Sequence, residues 1–183
     1  MEHSANYTRT AIALHWLIAF ALVATFSVGF YMHDLPLSPV KLKIYSWHKW
    51  AGVTIFLLVW FRLGWRFTHR PPGPPSGMSG WQHTAAEMVH LLIYVLMVAI
   101  PLSGWLMSSA KGFQTVYFGI LPIPDLLVKD KELGNLLAFV HKMLNFTLAG
   151  IVVAHAGAAF KHHLIDRDEV LTRMLPFLKK VKR

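Results

Sequence analysis

Two histidines in the last long apolar segment have the type and spacing to do chemistry. The segment runs from Leu136 to Phe160 and is long enough to cross a bilayer as a helix. Its histidines, His141 and His155, would lie on nearly the same side of that helix, roughly 21 Å apart along the axis. Because an imidazole in hydrocarbon needs a hydrogen-bond partner or a metal, the pair predicts two metal centres at two depths of a membrane.

Earlier apolar segments supply the partners of these histidines. The sequence predicts four spanning helices, at about 10–32, 46–67, 81–108 and 136–160. His15 lies in the first two turns of the first helix, and His48 lies at the start of the second. Successive spanning helices run in opposite directions, so His15 matches His155 in depth and His48 matches His141. Two neutral imidazoles on opposite faces of a macrocycle make a six-coordinate b-type haem, which transfers electrons and does not bind dioxygen.

Each histidine also has a structural interpretation, because a single histidine inside a membrane is about as often a hydrogen-bonded core group as a metal ligand. The matched depths of the four histidines favour ligands. His90, near the start of the third helix, is a rival ligand at the same face as His15. A di-iron carboxylate site needs several acidic ligands. Glu87 is the only carboxylate in or near a predicted span, so that alternative is excluded.

The composition is that of a membrane protein. Hydrophobic residues make up 55% of the 183 residues and charged residues only 15%, well below a soluble domain. The net charge of +9 does not indicate a nucleic-acid partner, because no folded basic module remains outside the apolar segments. The absence of cysteine excludes disulfides, iron–sulfur clusters, thiolate ligands and covalently attached c-type haem.

The predicted fold is all-α, a single domain over residues 1–183 built as an integral membrane four-helix bundle with two b haems stacked across the membrane. Pro39 is expected in the loop after the first helix. Residues 71–80 form a stiff Pro–Gly linker that cannot continue a helix.

Two segments outside the predicted helices contain apolar residues. Residues 109–135 are predicted to form a loop packed against the membrane face. The tail, residues 161–183, is predicted to lie at the interface as a short helix. Within the third helix, Pro101 and Gly104 are expected to produce a kink.

Basic residues set the predicted orientation, since four helices place both termini on one side. The termini and the linker between the second and third helices hold eleven of them: Arg9, Arg62, Arg66, Arg70, Lys161, Arg167, Arg173, Lys179, Lys180, Lys182 and Arg183. The opposite face holds seven: Lys41, Lys43, Lys49, Lys111, Lys129, Lys131 and Lys142. Cytoplasmic loops carry the excess of Lys and Arg, so both termini are predicted to be cytoplasmic.

Short motifs along nearly the whole chain occur in one order: Leu14-His15-Trp16, Trp47-His48-Lys49, Pro71-Pro72-Gly73-Pro74, His90-Leu91-Leu92-Ile93-Tyr94, His141, His155, Lys161-His162-His163 and Leu171-Thr172-Arg173-Met174. In this combination the chain resembles the bacterial cytochrome b-561 family of four-helix, di-haem proteins of the inner membrane. The resemblance implies axial pairs of His15 with His155 and of His48 with His141, the same pairs that helix depth indicates.

The resemblance also implies quinone chemistry. The best-defined activity of the family is oxidation of superoxide at the outer face, with electrons passed through both haems to ubiquinone. The chain is therefore expected to be a superoxide:ubiquinone oxidoreductase whose partners are membrane lipid, superoxide and ubiquinone. One alternative is a cytochrome b subunit that relays electrons between a partner dehydrogenase and the quinone pool. Another is a haem-binding structural or assembly protein without turnover, and the ligand histidines do not separate these functions.

Three polar residues near the predicted ligands are candidate substrate contacts. Lys49 and Lys142 directly follow the two ligands of the outer haem, where positive charge raises the encounter rate with the superoxide anion. His162 follows His155 by two turns on nearly the same face, about 10 Å nearer the cytoplasm. It could bond a quinone carbonyl and deliver a proton. The alternatives are ordinary solvated charge for the lysines, headgroup anchoring for His162, and a quinone site under residues 116–124.

Overall fold

The computed structural model describes residues 6–75 and 77–178 of the chain. It contains four long helices: α1 Arg9–His33, α2 Pro39–Thr68, α3 Gly80–Ala110 and α4 Lys131–Lys161. An antiparallel hairpin of β1 Thr115–Tyr117 and β2 Leu121–Ile123 lies between α3 and α4, and a π-helical turn, His162–Asp166, follows α4. In chain order, each helix packs against the next. The described chain is therefore mostly helical, with one small hairpin that an all-α prediction omits.

Each end of the bundle has its own group of histidines. The terminal end carries the start of α1 and the end of α4, and the hairpin end carries the turn from α1 to α2 and the β-hairpin. His15, His90 and His155 lie at the terminal end, whereas His48 and His141 lie at the hairpin end. The fold therefore separates the buried histidines into two groups.

Two helices begin earlier than the sequence predicts. α2 begins at Pro39 because the Ser38 side chain accepts a hydrogen bond from Lys41 N (3.2 Å) and proline is tolerated in a first helical turn. The expectation that Pro39 lies in a loop is therefore wrong. α4 begins at Lys131, because the Asp130 side chain caps the backbone of its first turn. The bounds of α1 and α3 lie within two residues of the predicted ones.

Three of the described helices are long and apolar enough to cross a membrane: α1, α3, and α4 together with the π turn. In α2 the apolar part is shortened by lysines towards one end and by Arg62 and Arg66 towards the other, and it is not in this group. A bundle with four spans therefore remains a prediction. Large apolar side chains such as Phe20 and Val153 are 69% and 73% exposed, which suits contact with lipid.

A small apolar core holds the helices together between the two ends. Ile18 of α1, Val59 of α2 and Met97 of α3 are almost fully buried. Leu148 of α4 packs into the same cluster, and it lies midway between the two histidines of that helix. The core therefore separates the two histidine groups.

The β-hairpin is fixed to α2 through side-chain hydrogen bonds. Trp50 Nε1 donates to the Val116 carbonyl at 2.7 Å, and the hydroxyls of Thr54 and Tyr117 pair at 2.9 Å. These contacts order the middle of residues 109–135, where the sequence predicts only an irregular loop. The hairpin is held against the helix that carries His48.

The described part of the C-terminal segment is helical only as far as Asp166, whereas the sequence predicts a short helix over the tail. Arg167 has a φ of 53°, in the left-handed region, and the π turn ends there. Residues 167–178 continue in turns, so the predicted helix is wrong over this range. The remaining basic residues of the tail lie outside the described residues: Lys179, Lys180, Lys182 and Arg183.

Residues 167–178, the strap, fold back across the terminal end. Trp16 Nε1 donates to the Met174 carbonyl at 2.8 Å, and Arg173 donates to the Gly73 carbonyl at 2.6 Å. The strap is therefore tied both to α1, beside His15, and to the linker before α3.

Replacing Tyr117 with Phe should destabilise the hairpin end by about 1 kcal/mol, the usual net contribution of one hydrogen bond, because Thr54 loses its hydroxyl partner. Hydrogen exchange over residues 115–123 and thermal unfolding in detergent measure the effect. Tyr31→Phe is the matched control, since the Tyr31 side chain is exposed. Identical exchange in both variants would show that the hydroxyl pair does not anchor the hairpin.

Candidate functional site

Inside the bundle, histidines from different helices form two close pairs. At the terminal end the ring centroids of His15 (α1) and His155 (α4) are 6.4 Å apart, with an interplanar angle of 67°. At the hairpin end the centroids of His48 (α2) and His141 (α4) are also 6.4 Å apart, at 80°. The structure brings together the pairs that helix depth indicates.

The 6.4 Å separation matches two imidazoles that bind opposite sides of one metal ion. A bond from a first-row metal to an imidazole nitrogen is about 2 Å long, and the ring centre lies about 1.1 Å behind that nitrogen. Two such rings therefore have centroids about 6.3 Å apart. Both pairs fit the axial ligands of a b-type haem.

His90 is the third histidine at the terminal end. Its ring centroid lies 5.3 Å from that of His155, at 69°. This distance is about 1 Å shorter than the separation that one shared metal ion requires, so His15 fits better than His90 as the partner of His155. The guanidinium of Arg62, on α2, lies within electrostatic range of all three rings.

The ring of His141 is oriented by α3. Its Nδ1 lies 2.9 Å from Ser103 Oγ and 3.1 Å from the Ile100 carbonyl oxygen, and Ser103 Oγ donates to that carbonyl at 2.7 Å. A proton on Nδ1 satisfies this geometry and leaves the lone pair of Nε2 for a metal. Ser103 could not be identified from the sequence, because its spacing within α3 does not show that it meets a side chain of α4.

Glycines make room for the rings at the hairpin end. A Cβ on Gly29 would lie 3.0 Å from His48 Cε1, and a Cβ on Gly104 would lie 3.1 Å from His141 Cε1. Gly104 therefore accommodates a histidine ring, a role that the sequence alone does not indicate. His48 Nδ1 is buried without a hydrogen bond of normal geometry, although the Thr25 carbonyl lies near it. The two glycines therefore leave room for the rings of His48 and His141.

The two lysines that follow the hairpin-end histidines have different surroundings. Lys49 is half-buried and its Nζ donates to the Phe113 carbonyl at 2.8 Å, so it tethers the segment after α3. Lys142 is exposed and pairs with no carboxylate among the described residues. The positive charge of Lys142 is therefore more accessible to an anion than that of Lys49.

His162 lies in the π turn and is held by two carboxylates. Its Nδ1 is 2.6 Å from Asp168 Oδ2 and 3.2 Å from Asp166 Oδ2. Its Nε2 bonds no described residue and is not fully enclosed. Asp168 could not be identified from the sequence, because a regular helix would carry it away from His162 and the reversal at Arg167 brings it back.

Sequence comparisons identify similar proteins over nearly the whole chain. Residues 6–177 match the family model described as prokaryotic cytochrome b561. The chain is 32% identical over 178 residues to "Cytochrome b561 homolog 2" of Escherichia coli (strain K12), covering 93% of this chain and 91% of that protein. It is 27% identical over 172 residues to "Cytochrome b561 homolog 1" of the same organism, covering 93% and 97%.

A third relative has a name that states an activity. The chain is 26% identical over 180 residues to "Probable superoxide oxidase CybB" of Yersinia pestis, covering 93% of this chain and 96% of that protein. Together with the family match, these relatives confirm the resemblance that the motifs indicate. The chain belongs to the prokaryotic cytochrome b561 family, whose members carry electrons in membranes by means of b-type haem.

Proposed function

We propose that the protein oxidises superoxide at the outer face of a bacterial inner membrane and passes the electrons inward to ubiquinone. Two superoxide anions lose one electron each and become dioxygen, and one quinone takes up both electrons with two protons to become a quinol. The hairpin end faces outward and the terminal end faces the cytoplasm. The observation that supports this proposal most strongly is that the ring centroids of the paired histidines are 6.4 Å apart at both ends of the bundle.

One haem is proposed to lie between the two histidines of each pair. His48 and His141 hold the outer haem, and His15 and His155 hold the inner one. Bound at these two places, b-type haems supply one-electron transfer between the two faces. The apolar cluster around Leu148 keeps water out of the middle of the bundle.

Lys142 supports superoxide as the electron donor at the hairpin end. Its exposed ammonium directly follows a proposed haem ligand. Positive charge at that position attracts an anion and raises its encounter rate in a salt-dependent way. Lys49 adds charge nearby, but its bond to the Phe113 carbonyl also gives it a structural role. The relative named as a probable superoxide oxidase points to the same donor.

His162 supports a quinone site at the terminal end. When the ring is protonated, its free Nε2 can donate a hydrogen bond to a quinone carbonyl and then deliver a proton. Leu164 and Ile165 lie in this turn and Phe160 lies just before it, and each of the three is more than half exposed. An apolar surface beside a polar donor suits a lipid-soluble quinone that enters from the bilayer.

Replacing His141 with Ala should remove one of two haems, because the outer haem loses its ligand on α4. The haem-to-protein ratio and the absorption spectrum measure the loss. His90→Ala is the matched control: it removes a histidine from the same helical interior and should leave both haems in place. Retention of both haems in His141→Ala, or loss of the inner haem in His90→Ala, would contradict the assigned pairs.

Lys142→Gln should slow haem reduction by superoxide about threefold at low ionic strength and weaken its dependence on salt, because one attracting charge is lost. Stopped-flow absorbance after a superoxide burst measures the rate. The matched control is Lys131→Gln, an exposed lysine on the same helix about 16 Å away along the axis. If both variants behave alike, local steering by Lys142 is wrong.

His162→Ala should keep both haems and their reduction by superoxide, while reoxidation by ubiquinone slows about 10²-fold, as expected for loss of a general acid. Stopped-flow reoxidation of the reduced protein measures this step, with His163→Ala as the control from the same turn. Unimpaired reoxidation in His162→Ala would exclude this quinone site and favour one under residues 116–124.

A further inference from the structure

The two carboxylates that hold His162 are not equivalent. Asp168 Oδ2 lies 2.6 Å from His162 Nδ1, whereas Asp166 Oδ2 lies 3.2 Å away. Asp166 also accepts the ammonium of Lys161 at 2.7 Å, so its charge is shared with a second cation. Asp168 is only 11% exposed and pairs with no second cation among the described residues. Asp168 is therefore the main negative charge acting on the imidazole.

Asp168 reaches the ring because the chain reverses after the π turn. The backbone N–H of Asp168 donates to the His162 carbonyl at 3.1 Å. Its Oδ1 accepts the backbone N–H of Val170 at 3.0 Å, while its Oδ2 faces His162. One oxygen is thus fixed by the strap and the other fixes the imidazole. The fixed contact at Nδ1 leaves Nε2 as the ring atom open to a ligand.

We propose that Asp168 is the positioning residue of the quinone site. Its carboxylate accepts the Nδ1 proton of His162 and thereby directs Nε2 to a quinone carbonyl. This inference rests on the proposed function, because it takes a quinone as the ligand of His162. Asp168 itself does not touch the quinone.

The pair has a defined part in the proton balance. Reduction of the quinone takes up two electrons, which come from superoxide, and two protons. Protonated His162 transfers the Nε2 proton to a carbonyl oxygen, so an N–H bond breaks as an O–H bond forms. Nε2 then takes a new proton from cytoplasmic water before the second transfer. The Asp168 carboxylate accepts the Nδ1 hydrogen bond throughout and so holds the ring in one orientation.

A divalent cation is the competing occupant of this cluster. The ligand atoms of His162, Asp166 and Asp168 lie within 4.8 Å of one another. However, the ammonium of Lys161 already occupies Asp166, and the 2.6 Å contact from Nδ1 to Asp168 is a hydrogen bond with a proton between the two atoms. The geometry favours a hydrogen-bonded pair.

Stopped-flow reoxidation of the reduced, purified protein by a short-chain ubiquinone tests the proposal, with a chelator present. Asp168→Asn should slow reoxidation about tenfold at neutral pH, because it removes one charged hydrogen bond. Asp166→Asn is the matched control and should have the smaller effect, and Asp168→Glu should restore part of the rate.

A purely structural role of Asp168 is separated by loosening the strap elsewhere. Arg173→Ala removes the bond to the Gly73 carbonyl without changing His162 or Asp168, and it should keep the parent reoxidation rate. The proposal is overturned if Arg173→Ala reproduces the slowing, or if Asp168→Asn keeps the parent rate and Asp168→Glu behaves no differently from it. In the second case slow reoxidation in His162→Ala still leaves the quinone site in place, whereas fast reoxidation in His162→Ala removes that site as well.

Discussion

Four imidazole rings lie inside an apolar bundle, and the surrounding structure must provide for their ring nitrogens. A ring nitrogen in such an interior needs a hydrogen bond or a metal. Of the four paired rings, only His141 has a hydrogen bond of normal geometry to a described residue, and it uses Nδ1. Gly29 and Gly104 leave space for the hairpin-end rings, and an apolar core lies between the two levels. The bundle is organised around two pairs of histidine rings whose centroids are the same distance, 6.4 Å, apart.

Each end of the bundle is closed by a segment that is not one of the long helices, and an indole secures each closure. Trp50, two residues after His48, donates to the hairpin, while Trp16, next to His15, donates to the strap. The closing segments are therefore bonded to the helices that present the histidines. This arrangement fixes the hairpin and the strap beside the two histidine pairs.

The helices and the depths of their histidines could be predicted, because both follow from the residue pattern within each segment. A spacing of fourteen residues in α4 fixes the relative direction and height of His141 and His155 without knowledge of any neighbour. Contacts between elements could not be predicted in this way. The ring support from Ser103 depends on the rotation of α3 about its own axis. The tether from Lys49 depends on the path of the segment after α3.

The same limit applies at the C-terminus. Local sequence predicts a basic amphipathic helix there, but one residue in the left-handed conformation, Arg167, redirects the chain. The reversal brings Asp168 to His162 and so defines the polar surroundings of the proposed quinone site. Sequence motifs identify the family correctly even where local structure departs from the predicted helix.

The most direct test of the account is a superoxide burst applied to the purified protein in a stopped-flow spectrometer, with and without ubiquinone and with no other protein present. The account predicts rapid reduction of both haems by superoxide alone and their reoxidation when ubiquinone is added. Haems that stay oxidised after the burst, but are reduced once a partner dehydrogenase is supplied, would contradict it and identify the chain as a relay subunit.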